Sequence, residues 1–179
     1  MELIMNDIFR RRSVVKLPPR KNVEKHDQYG KEPQGLTRCP LCRNVHFKKK
    51  WLPSLRTAQK YERRKRLFIA GEELCPACHM VREHLFEGEI MVVQCPQHFR
   101  EELLNLIRNY GARASSRDPQ HRIIHIEHVP EGIRITTTEN QLANRLSKKI
   151  RDVFNKVDVE MSYSREPYEV NRTRVTFEE

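Results

Sequence analysis

The sequence predicts an α+β protein in three parts. An extended basic arm spans residues 1–38, a cysteine module 39–95, and a small α-β-β-α-β-β domain 96–179. Three observations carry this. Two Cys-x-x-Cys pairs, 39/42 and 75/78, stand 32 residues apart. The charge is divided: residues 1–70 hold 19 Lys/Arg against 6 Asp/Glu, and residues 71–179 hold 15 against 18. The C-terminal half alternates between helical apolar spacing and strand-like alternation.

The arm contains Arg10, Arg11, Arg12, Lys16, Arg20 and Lys21 among Pro18, Pro19, Gly30, Pro33 and Gly35. It has few large apolar residues, so alone it cannot bury enough surface to offset its ordering entropy. It is expected to order on a partner. The alternative is a solvated tail that aids solubility.

In the module, each Cys-x-x-Cys turn can present two thiolates to one ion, and two such turns complete a tetrahedron. The doubled spacing predicts a structural zinc site of Cys39, Cys42, Cys75 and Cys78, where a single pair would be weak evidence. Iron is the competing metal for four thiolates. The 32-residue gap exceeds ribbon spacing, which is read as a zinc ribbon with an inserted basic helix, Leu55–Ala70. Ser54 is its expected N-cap and Gly71 its C′ residue. Arg63, Arg64, Lys65 and Arg66 form a cationic run near its end, where they also complement the helix dipole. Cys75-Pro-Ala-Cys78-His79 also matches a haem-attachment motif, but that chemistry requires export. A thioredoxin-like redox pair would leave the second pair without a role. Cys95 and His98 could form a further half-site; a packed thiol is the simpler reading.

The domain is expected to begin with a helix from Pro96 to near Tyr110, apolar through Phe99, Leu103, Leu106, Ile107 and Tyr110, with Gly111 as C′. A polar linker, Ala112–Pro119, precedes a hairpin of Arg122–Val129 and Ile133–Thr137 turning at Pro130-Glu131-Gly132. Thr138, with Gln141 three residues on, predicts a capping box. The helix it opens carries Leu142, Leu146, Ile150, Val153 and Phe154. Strands Val157–Ser164 and Thr173–Phe177 follow, giving two helices on one face of a four-stranded sheet.

The basic excess points to a polyanion. Lys48, Lys49, Lys50 and Trp51 follow the first knuckle, with His46 and Phe47 just before them. Lysines meet phosphates, and an aromatic ring can stack on an unpaired base. Packing in the module's small core is an equal reading for Trp51 and the better one for Phe47; the lysines are harder to explain by packing. Nothing reads one base sequence over another, and no His-x-x-x-His follows closely behind a Cys pair as a C2H2 finger needs. Shape and backbone recognition suits structured RNA, ribosomal RNA above all. The rival is a DNA- or transcription-associated adaptor.

No segment approaches the roughly 18 apolar residues of a membrane helix, and Met1–Phe9 lacks an apolar signal core, so the chain reads as cytoplasmic. A membrane-surface role for the arm is disfavoured by its lack of an apolar face. Neither a phosphate-binding glycine loop nor a nucleophile elbow is present, and His121, His125 and His128 read as strand residues, so no enzyme or small-molecule substrate is expected.

Cys39-Pro-Leu-Cys42, Trp51, Leu74-Cys75-Pro-Ala-Cys78, Asn105-Leu-Ile-Arg108-Asn109 and Gly132-Ile-Arg-Ile-Thr-Thr-Thr138, with Leu142-Ala143, resemble a family of small bacterial zinc-ribbon proteins. That family in turn resembles, more weakly, the zinc-binding N-terminal part of the archaeal and eukaryotic large-subunit nuclear export adaptor. The resemblance spans residues 37–179 and implies a ribosome-associated role with ribosomal RNA and ribosomal proteins as partners. The long arm and the basic 55–70 segment depart from the family's shorter spacing between knuckles.

Overall fold

The computed structural model describes residues 35–63, 66–164 and 170–178. It is a mixed α+β structure, with four α-helices and two sheets among the described residues. Nearly the whole arm lies outside them, including Arg10, Arg11, Arg12, Lys16, Arg20 and Lys21. Its final residues, however, form strand β1 (Leu36–Arg38), so the arm stops before Leu36 rather than at residue 38.

The first sheet runs β3-β2-β1-β4, from β1, β2 (Val45–Phe47), β3 (Lys50–Leu52) and β4 (Ile69–Glu72). β1–β2 and β2–β3 are antiparallel; β1–β4 is parallel. Leu36, Val45 and Phe47 pack on Ala58 of helix α1 (Leu55–Tyr61). Ser54 caps α1 as expected, its hydroxyl accepting from the Thr57 N–H at 3.2 Å. The helix then ends at Tyr61 instead of Ala70. Continuing it would stack Arg63–Arg66 as like charges on successive turns. The Gln59 side chain closes the break, donating to the Glu62 carbonyl and accepting from the Leu67 N–H. Ile69–Glu72 then pair with β1, so Gly71 is a strand residue and not a helix cap.

The second sheet has five strands, not four, in the order β6-β7-β5-β9-β8. These are β5 (Gly88–Val93), β6 (Ile123–Val129), β7 (Gly132–Thr137), β8 (Val157–Ser164) and β9 (Val170–Phe177). β5 is the central strand, antiparallel to β7 and parallel to β9. The 39–95 boundary therefore cuts a strand away from its sheet: Ile90 and Val92 are fully buried in the second core. That core is closed by Leu103 and Ile107 of α3 (Arg100–Arg117) and by Ala143, Leu146 and Ile150 of α4 (Asn140–Val153).

Pro96 opens a short 3-10 turn, Gln97–Phe99, and α3 follows without stopping at Tyr110. Gly111 sits inside the helix, where a Cβ would come 2.6 Å from Ile123 Cδ1. Its role is close helix–strand packing, and the expected linker 112–119 is mostly helix. α4 is capped by Glu139 without a side-chain bond, so the capping box does not form. The Thr138 hydroxyl instead donates to the Gln120 carbonyl at 2.6 Å and accepts from the Arg122 N–H at 2.9 Å. Leu142, Leu146, Ile150 and Phe154 are buried, whereas Val153 is 39% exposed and leaves the stripe. The 122–137 hairpin and the strand Val157–Ser164 form as expected, and the last strand begins at Val170 rather than Thr173.

Gly132 opens β7 at φ +148°, where an added Cβ would lie 1.9 Å from the Val92 carbonyl oxygen. An L-residue there meets both backbone strain and a backbone clash. Gly132→Ala is expected to cost about 3 kcal/mol or more, read as a lower midpoint in urea with an unchanged slope. A midpoint equal to wild type would contradict the tight β5–β7 approach.

Candidate metal centre

The first knuckle follows β1. Its turn is closed by the Cys39 N–H to the Asn44 carbonyl at 2.8 Å and the Arg43 N–H to the Cys39 carbonyl at 3.0 Å, with Arg43 at φ 65°. The second is built differently. Cys75 is the N-cap of helix α2 (Pro76–Arg82), Pro76 occupies its first turn, and Cys75 Sγ accepts from the Cys78 N–H at 3.4 Å. Proline costs little there because the first-turn N–H has no helical partner. The ladder of β1 with β4 carries the second knuckle beside the first.

All four sulfurs lie within 4.8 Å of one another. Cys42 Sγ and Cys75 Sγ are 3.6 Å apart, far beyond a disulfide bond. Four thiolates around an ion at about 2.3 Å stand about 3.8 Å apart along each tetrahedron edge. The group is thus compatible with a metal site. Cys39 and Cys75 are fully buried, Cys78 nearly so, and Cys42 half-buried. Trp51 and Leu74 pack against the cluster.

The thiols are not equivalent. Burial works against ionising Cys39, but the backbone N–H groups of Cys42, Cys75 and Leu41 together hold its pKa down to about 6. Burial pushes Cys75 and Cys78 up; for Cys78, hydrogen bonding to Cys42 adds to the rise. Cys95 stays outside the cluster, its thiol directed at the Pro96 carbonyl and pushed up by burial, and His98 is exposed. They form no half-site.

One residue in contact with the cysteine cluster has no signature in the Cys spacing. Arg122, at the entrance to β6, donates from Nη1 to Cys78 Sγ at 3.2 Å and also faces Cys42. Burial opposes its charge, but the bond to Cys42 and the electrostatic pull of the Cys78 and Cys42 sulfurs raise its pKa above the usual value. A second link crosses beside it: the Ala77 N–H, between Cys75 and Cys78, donates to Gln120 Oε1 at 3.1 Å.

The basic residues separate. Lys48 is held by Glu62, at 2.9 Å, and lies over the Phe47 ring. Phe47 itself is buried core. Lys49, Lys50 and Trp51 line a groove of about 940 Å³ with His46, Tyr61 and Arg117. Trp51 is half-buried and stacks on His46 with ring centroids 5.1 Å apart, and Tyr61 is 70% exposed. Arg63 and Arg66 are exposed outside that groove, and Arg64 and Lys65 lie outside the described residues. The histidines do not converge: His121 pairs with Glu139 at 2.8 Å, His125 stacks on His84, and His128 is exposed.

No family model matches the chain, and no curated protein matches it at a significant level. Among the described residues no helix is long and apolar enough to cross a membrane.

Proposed function

We propose that this chain is a non-enzymatic, zinc-containing cytoplasmic protein that binds structured RNA on the ribosome. Zinc is the favoured occupant because four cysteine sulfurs within 4.8 Å of one another suit an ion with no geometric demand of its own. The module is a variant zinc ribbon, one knuckle on a hairpin and the other opening α2. Four thiolates leave no open position for water, so the metal's role is structural.

The single observation that carries the RNA reading is the groove beside the metal cluster. There Trp51, stacked on His46, lies next to Lys49 and Lys50, with Tyr61 and Arg117 on the same groove. Aromatic faces beside cations accept unpaired bases and phosphates without reading a sequence. The basic arm enters β1 in this same unit and supplies further phosphate contacts. The five-stranded sheet, from the slightly acidic part of the chain, would occupy a ribosomal functional site or contact ribosomal proteins. Such a protein serves as a dormancy (hibernation) factor or as an assembly factor.

Co-sedimentation with ribosomes across a salt series tests this. The protein is expected to travel with ribosomes at physiological salt, and to leave at lower salt when residues 1–34 are removed. Migration at the top of the gradient, together with equal binding to duplex DNA, would replace this reading with that of a transcription-associated adaptor.

A further inference from the structure

Arg122 belongs to the five-stranded unit, yet its side chain ends on the cysteine cluster. Its main chain is engaged elsewhere. The Arg122 N–H donates to Thr138 Oγ1 at 2.9 Å, and its carbonyl accepts from the Thr138 N–H at 2.9 Å. Nε donates to the Pro119 carbonyl at 2.8 Å, which aims the guanidinium at the sulfurs. The loop between is itself cross-bonded: the Gln120 N–H donates to Asp118 Oδ1, and Thr138 Oγ1 to the Gln120 carbonyl. The same loop lines the groove that holds Trp51 and Lys50.

Four thiolates around a divalent cation carry a net charge of about −2, and a half-buried guanidinium offsets part of it. Without an ion to gather the four sulfurs, Nη1 loses the fixed acceptor it has at Cys78. We propose that Arg122 is a positioning residue that ties the five-stranded unit to the cysteine unit only while a metal holds the four sulfurs in place. Metal loading thereby sets the shape of the groove between the units. This rests on the metal reading of the four cysteines.

Hydrogen exchange on the full chain, zinc-loaded and after chelation with EDTA, tests the tie. In wild type, chelation is expected to speed exchange at least tenfold at the Arg122 and Thr138 amides as well as in α2. Ile90 and Val92 in the second core should stay protected. In zinc-loaded Arg122→Met, the Arg122 and Thr138 amides should already exchange fast, with zinc affinity about 10–100-fold weaker in competition with a chelating dye. Arg122→Lys keeps the charge but not the fork, and should fall between. If α2 responds to EDTA while Arg122 and Thr138 do not, the tie is wrong although the metal stands; this comparison needs no variant to fold. If α2 does not respond either, the metal reading fails and the tie with it. Zinc affinity of folded Arg122→Met within twofold of wild type would also overturn the proposal.

Discussion

Replacing Cys39 and Cys75 by Ser is expected to abolish metal binding and unfold the first unit while the five-stranded sheet stays folded. The two units depend on different sources of stability. The first has a core of Leu36, Val45, Phe47 and Ala58, with four partly buried apolar neighbours. That is too little apolar surface to order four short strands and two seven-residue helices. A structural zinc contributes about 10–16 kcal/mol of apparent binding free energy, which in such a module is folding free energy. The second unit buries Ile90, Leu103, Ile107, Ile135, Leu146 and Ile150 completely and needs no ion for its core. Amide spectra should therefore lose dispersion for residues 36–82 in the variant and keep it for β5–β9. EDTA on wild type should give the same pattern. Acidification should as well: metal holds thiolates, so falling pH returns protons and weakens binding. The sign is thus loss of metal and of first-unit stability as pH falls. A Cys39→Ser/Cys75→Ser protein with full dispersion and unchanged thermal stability would refute the structural role.

What could be read in advance divides along physical lines. The gathering of the four cysteines was legible because a doubled Cys-x-x-Cys pattern fixes residue type and spacing together. The 122–137 hairpin was legible because Pro130-Glu131-Gly132 and strand alternation are local signals. The end of α1 was not: whether 62–70 continues a helix or leaves to pair with β1 is decided by a strand more than 30 residues earlier. Gly111 resembles a helix terminator, and only the position of Ile123 shows that it is a contact point. Thr138 and Gln141 match a capping box, but Gln120 and Arg122 compete for the same hydroxyl and hold it. Strand β5 was missed because its six residues follow α2 after a short link and find partners only far along the chain. Arg122 carries no local mark, since its bond to Cys78 spans 44 residues.

Removal of residues 1–34 is expected to cost roughly 10³-fold in ribosome affinity at physiological salt, with a shallower salt dependence. Each phosphate neutralised releases counterions and contributes roughly 0.7–0.9 to the slope of log affinity against log salt. Six cations, Arg10, Arg11, Arg12, Lys16, Arg20 and Lys21, then account for a slope of about 4 to 5 if all engage. Cutting before Gly35 spares Leu36 and hence β1, so the loss reports binding and not folding. The lysine triplet should behave unequally. Lys48 is spent on Glu62 and the Phe47 ring, so Lys48→Ala should change little. Lys49→Ala with Lys50→Ala, on the groove beside Trp51, should cost roughly tenfold and lower the slope by about 1.5. Adding the arm deletion should sum these effects, because separate phosphates are being lost. If the arm-deleted protein keeps the wild-type slope, phosphate contacts come from elsewhere and the arm is only a solvated tail. If Lys48→Ala proves as damaging as the Lys49/Lys50 pair, the groove is not the contact surface.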